Sequence, residues 1–267
     1  MIVKAIQSLF FSLILLGAQS AFASDTSVFL EDLTWTELKA QIASGKTTIL
    51  IPIGGTEQSG PYVALGKHNM RAKLLAEKIA HELGNALVAP TIAYVPEGSI
   101  TPPTAHMRFP GTITVSDDVF EKTLESAARS FKLHGFRNVF FLGDHGGYQQ
   151  DMKIAADLLN KEWAGSAAHA SATPEYYQAT QVEYVRFLKS KGFSDDEIGK
   201  HAGLADTSLT MALDPHMVRA DKLPSATPSA AMGMYGDPRK STAALGEPGV
   251  DAVVSKTVEA IRAAARQ

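Results

Sequence analysis

The 267-residue chain contains no cysteine. That excludes disulfides, thiolate metal ligands, a cysteine nucleophile and a lipid anchor on an N-terminal Cys. Charge of either sign is nearly balanced, with 25 Lys and Arg against 28 Asp and Glu. Nothing in that balance attracts nucleic acid or an anionic membrane. Also missing are a G-x-S-x-G elbow, a GxxxxGK[ST] phosphate loop, an HExxH pair and a GxGxxG turn after a strand. A metal site in such a chain has only His, Asp and Glu to draw on.

The N-terminal apolar run is short as well. "MIVKAIQSLFFSLILLGAQSAFAS" has one cation, Lys4, an apolar stretch over 9–16 and then Ala21-Phe22-Ala23. This is the layout of a secretory signal peptide, and the run falls well below the ~20 residues needed to span a bilayer. The expectation is a signal peptide over 1–23 and a periplasmic or secreted mature chain that keeps no membrane contact. Removing Lys4 leaves 24 basic against 28 acidic residues.

What is present reads as strands alternating with helices in one domain over 24–267. "TTILIPIGG" (47–55) is apolar on both parities, as a strand buried on both faces should be. "FRNVFFLGDHGG" (136–147) repeats that pattern and runs into a Gly-rich turn. "ALVAPTIAYVPEG" reads as another buried strand. Thr34 caps a short helix that carries Trp35, Leu38 and Ile42 on one face. Helical spacing is clear over 70–84, 117–135, "QDMKIAADLLNKEWAG" and the closing "VDAVVSKTVEAIRAAARQ", while the segment "HASATPEYYQATQVEYVRFLKSKG" stays unassigned. Such alternation predicts an α/β fold with a mostly parallel sheet covered on both faces. Ligands in such folds collect where strands end and loops begin, which is where "GGTEQSG" and "GDHGG" sit.

Four residues in turn-rich stretches form a candidate metal set: Glu57, His68, His145 and Asp206. Zinc accepts imidazole nitrogen and carboxylate oxygen, and a catalytic site needs about three protein ligands plus an open position. Each residue taken alone could equally be a satisfied polar group, and distance along the chain does not join them.

Five blocks add a further argument: "IPIGGTEQSGPYVALGKHN", "GSITPPTAHMRFPGTITVS", "FLGDHGG", "HAGLADTS" and "YGDPRKSTAALG". In this order they resemble the creatininase (creatinine amidohydrolase) family over about residues 47–246. The resemblance implies a three-layer α/β/α sandwich, metal-dependent hydrolysis of C–N bonds, often in cyclic amides, and a homo-oligomer, frequently a hexamer. It matches Glu57 and His145 to family ligands and puts Asp206 where the family usually has Glu. Ser59 and Tyr62 replace histidines, and His68 replaces an aspartate that bridges two metals.

A neutral imidazole has one lone pair and cannot bridge two cations. The altered set therefore predicts one Zn²⁺ per chain, with Mn²⁺ possible but disfavoured by two imidazoles. Asp144 and His106 are the expected catalytic groups, moving protons. Ser59, Tyr62, Glu97 and His201 are expected around a small-molecule amide substrate. The rival expectation is a catalytically silent protein that keeps the fold for small-molecule binding or assembly.

Overall fold

The structure, a computed structural model, describes residues 27–265. The predicted signal peptide lies outside the described residues. Four parallel strands form the central sheet in the order β2-β1-β3-β4. They are β1 (Thr48–Ile53), β2 (Ala86–Val88), β3 (Asn138–Gly143) and β4 (His169–Ser171). The β1–β3 register runs from Thr48 opposite Asn138 to Ile53 opposite Gly143.

Alternation of side chains along these strands feeds two separate cores. Ile49, Ile51, Ile53, Val139 and Phe141 pack with Phe120 and Leu124 of α3 (Asp117–Leu133) and Met152 and Leu159 of α4 (Gln149–Glu162). Leu50, Phe140 and Leu142 pack on the other face with Leu75 and Ile79 of α2 (Lys67–Leu83) and with Val253 and Ile261 of the C-terminal helix. The result is the three-layer α/β/α sandwich, and it explains why β1 and β3 are apolar on both parities. A sheet covered on both sides needs no polar face.

Several boundaries differ from the expectations, each for a physical reason. The helix α1 spans Trp35–Ala43 and opens on a Thr34/Glu37 capping box. The strand expected through "ALVAPTIAYVPEG" pairs as a strand only over Ala86–Val88, and prolines at 90 and 96 bound the irregular stretch beyond it. The unassigned segment becomes β4, α5 (Pro174–Gln181) and α6 (Glu183–Ser190), followed by α7 (Asp195–Ile198) and α8 (Leu204–Leu213).

The last helix, α9 (Ala243–Ala264), starts well before the apolar periodicity at Val250 and absorbs Pro248. Tertiary packing overrides the local breakers there. A Cβ added to Gly246 would fall on the Ser208 carbonyl oxygen of α8, so the two helices meet backbone to backbone. Gly246→Ala should therefore lower stability by about 1–3 kcal/mol, the usual scale for overpacking. Urea denaturation would read this as a reduced midpoint with an unchanged slope.

Candidate metal centre

The sequence-predicted site residues come from the loops after β1, β2 and β3, from the first turns of α2 (His68) and α8 (Asp206), and from the segment that precedes α8 (His201). The chain leaves β1 to one neighbour, β2, and later returns as the other, β3. A crevice forms at such a reversal, and ligands bind there. Tyr148, fully buried, ties the two central loops together: its hydroxyl donates to the Ile53 carbonyl (2.9 Å) and lies 2.6 Å from the Gly54 carbonyl, while accepting from the His145 N–H (3.1 Å). That brings Glu57, which follows β1, beside Asp144 and His145, which follow β3. Gly55 (φ +146°) then lets Glu97 approach from the β2 side, because a Cβ at 55 would stand 2.6 Å from Glu97 Oε1.

Glu57, Glu97, His106 and His145 each offer one ligand atom, all within 4.8 Å of one another. Glu57 Oε2 and both oxygens of Glu97 are buried without a hydrogen-bond partner. Buried carboxylate oxygens normally have partners. Burial, and then repulsion from Glu57, pushes the Glu97 carboxyl up to about 9. Burial likewise brings His145 down to about 4 and lowers His106, so both rings are neutral near pH 7. Unpaired carboxylate oxygens facing neutral imidazoles are the donor set that a borderline divalent ion requires.

His106 differs from the other three in how its ring is held. The Gly60 N–H donates to Gln58 Oε1 (2.9 Å), which fixes the amide so that Nε2 donates to His106 Nδ1 (3.0 Å). The proton of His106 then sits on Nε2, 3.1 Å from Glu57 Oε2. His201 stacks near it, with ring centroids 4.6 Å apart. Burial, with the charge of Lys67, takes His201 down to about 3.

Two of the four expected ligands lie outside this four-residue group. Asp206 has Lys67 Nζ on Oδ2, Arg71 Nη1 2.5 Å from Oδ1, and the Ala202 N–H donating to Oδ2 at 2.9 Å. Burial alone would raise its pKa, but Lys67 and Arg71 hold it well below the usual range. It is the partner of two cations and is outside the four-residue group.

His68 is the second of these. Both of its nitrogens are engaged, Nδ1 with Asp144 Oδ2 (2.5 Å) and Nε2 with Glu57 Oε1 (2.8 Å). Burial and Lys67 oppose its charge, yet these two carboxylates raise its pKa. A ring that donates from both nitrogens has no lone pair left for a metal. Glu57 is held well below its ordinary range against the cost of burial, first by the His68 hydrogen bond and then by the charges of His68 and Lys67.

Asp144, expected to move protons, is buried and held by His68, Arg71 Nε (3.1 Å) and the Tyr176 hydroxyl (3.2 Å). It fixes the His68 ring at the edge of the cavity that it also lines. Ser59 and Tyr62 are not among the cavity-lining residues. Ser59 is buried with an unpartnered hydroxyl, and Tyr62 packs on Val63 and Val218. The cavity of about 170 Å³ is lined instead by His106, His145, His201, Tyr177, Arg71 and Lys67, among others.

Helical spacing in the sequence is clear only from residue 70, which leaves Lys67 off the helix and hides that it and Arg71 stand one turn apart. A signal was available. "GKHNMRAK" puts three basic groups in the first turns of a helix without an acidic residue there, against the helix dipole. Such a placement is tolerated only beside nearby carboxylates.

An α/β/α sandwich with a buried carboxylate–imidazole cluster at its switch point is a ligand-binding α/β fold with a candidate metal site. Comparison with known proteins narrows it. A family model described as Creatininase, creatinine amidohydrolase, matches residues 31–261, and the chain belongs to that family. It is 27% identical over 202 residues to the creatinine amidohydrolase of Pseudomonas putida, covering 74% of this chain and 76% of that one. It is 26% identical over 234 residues to a mycofactocin precursor peptide peptidase of Mycolicibacterium smegmatis, covering 79% and 83%. A solved mutant creatininase of Zn–Zn type shares the fold at TM-score 0.73 and 24% identity, over 90% of this chain and 99% of that one.

Proposed function

We propose that the protein is a metal-dependent hydrolase that cleaves a C–N bond of a small amide or cyclic amide with one divalent ion, zinc in preference to manganese. The observation that carries this reading is the convergence of Glu57, Glu97, His106 and His145, whose ligand atoms all lie within 4.8 Å of one another, buried carboxylates against neutral imidazoles. The creatinine amidohydrolase and the peptide peptidase are both named for amide cleavage, and solved creatininases are described in Zn–Zn and Mn forms. The small cavity favours a small substrate: about 170 Å³ is below the range of drug-sized sites, roughly 300–1,000 Å³.

Glu57, Glu97 and His145 would hold the ion, a count that leaves a coordination position open. A bound divalent ion supplies Lewis acidity toward the carbonyl and a water acidic enough to react near pH ~7. His106 presents its Nε2–H toward the site and would donate a hydrogen bond to the substrate there. Gln58 keeps that proton on Nε2. Arg71 holds Asp144, which holds the His68 ring, which in turn fixes one oxygen of Glu57.

Metal analysis of protein purified without added ions, followed by a panel of linear and cyclic amides, tests this reading. The expected result is one zinc per chain and hydrolysis of at least one amide. His145→Ala should remove both, with the circular dichroism spectrum unchanged. A protein that takes up no divalent ion when zinc is added in excess would overturn the proposal.

A further inference from the structure

Lys67 is fully buried, and its ammonium lies inside the carboxylate cluster. Nζ contacts Asp206 Oδ2 and lies 3.6 Å from Glu57 Oε1. Arg71, four residues on, follows it on the same side of α2 and ties Asp206 (2.5 Å) to Asp144 (3.1 Å). A buried lysine is among the rarest of placements unless it is paired. This one also stands at the N-terminus of its helix, where the dipole repels it. Its position is stable only because Glu57 and Asp206 surround it.

We infer that the Lys67 ammonium is a tethered cation that fills the place a second metal ion would take between Glu57 and Asp206, so that this chain's centre accepts one divalent ion and excludes another. The inference rests on the metal-dependent reading given above and deepens it.

Charge and space agree. Four carboxylates, those of Glu57, Glu97, Asp144 and Asp206, face the basic side chains of Lys67 and Arg71 and the His68 ring that two of the carboxylates share. With Glu97 ionised and His68 donating from both nitrogens the cluster has one negative charge in excess, so one divalent ion takes it to one positive charge and a second would leave three in a largely buried volume. Uncompensated buried charge of that kind is not tolerated. The oxygen pair that could hold a second ion, Glu57 Oε1 and Asp206 Oδ2, already spans the ammonium. Glu57 Oε2 and the Glu97 oxygens stay free on the other side. The tethered cation cannot be removed by chelators, so Glu57 keeps its orientation even in metal-free protein.

The test is zinc stoichiometry by native mass spectrometry of the full chain, reconstituted with excess zinc. Wild type is expected to hold one zinc, Lys67→Arg one, and Lys67→Ala two, the second requiring Asp206. Two zinc ions in wild type, or a folded Lys67→Ala variant that stays at one, would overturn the inference while leaving the hydrolase reading intact. No zinc in wild type would instead overturn the hydrolase reading.

If Lys67→Ala does not fold, electron paramagnetic resonance of manganese-loaded wild type decides the matter. The hyperfine pattern of an isolated ion is expected, and the spectrum of a coupled pair would refute the tethered cation. Neither readout depends on turnover.

Discussion

Asp206→Asn is expected to cost about 3 kcal/mol of stability, the low end of the range for breaking a buried ion pair, and to leave the zinc content unchanged. The carboxylate removed is the principal partner of Lys67, whose side chain is 1% exposed, and one of two partners of Arg71. Glu57, 3.6 Å away, is the only other acid near Lys67 Nζ among the described residues. Asn keeps the shape and can accept from the Ala202 N–H, so the loss isolates the charge. Residual solvent access to Asp206, whose side chain is 16% exposed, keeps the cost at the low end. For a domain of this size the shift in melting temperature is roughly 6–12 °C.

Metal content of the same variant separates the two possible roles. If Asp206 were a ligand, metal would be lost while the metal-free protein changed little in stability. If it is the counter-ion of Lys67 and Arg71, the metal-free protein melts early and still takes up zinc. Thermal unfolding of the stripped protein, paired with zinc analysis after reconstitution, reads both at once.

This contrast also shows what the sequence could and could not convey. The double-parity apolar strands at 48–53 and 138–143 were legible because burial on both faces leaves a compositional mark. The loops after them were legible as the place of the candidate site because Gly-rich turns at strand ends are where α/β sheets bind. Five blocks in order were enough to recognise the family that the family model and the solved neighbours then showed.

Pairings inside the site were not legible. Whether Asp206 meets a metal or an ammonium depends on which residue begins α2. A start at Lys67 in place of Met70 adds three residues to the helix and places Lys67 and Arg71 one turn apart on one side. Composition argues against looking there, because lysine is almost always solvated. Glu97 was seen as a pocket residue only, since its proximity to Glu57 comes from the positive-φ backbone at Gly55, which no periodicity reports. α8 was not legible as a helix because nearly every side is apolar or small and buried, which erases the amphipathic stripe.

The second large effect is a pH dependence that should reverse when zinc binds. In metal-free protein Glu97 has its pKa raised from 4.5 to about 9, so the folded state binds a proton that the unfolded chain releases. Stability from this group is complete below pH ~4.5 and is lost as pH rises toward ~9. The raised pKa of His68 acts in the same direction. His145, His201 and His106 act oppositely. Their folded values lie below the ordinary imidazole range, so their stabilisation is complete above pH ~6.5 and is lost in acid.

Stripped protein should therefore be most stable near pH ~6.5 and lose on the order of 3 kcal/mol by pH ~9. Glu97→Gln removes the acidic proton and should flatten the alkaline limb while leaving the acid limb in place. Zinc must displace that same proton to reach the Glu97 oxygens, so its affinity increases with pH, and ligand linkage adds most stability where the stripped protein is weakest. Melting temperatures of stripped and zinc-loaded protein from pH 5 to 9 should thus diverge as pH rises. Parallel curves, or an alkaline limb unaltered in Glu97→Gln, would mean that Glu97 is neither the buried acid nor a ligand.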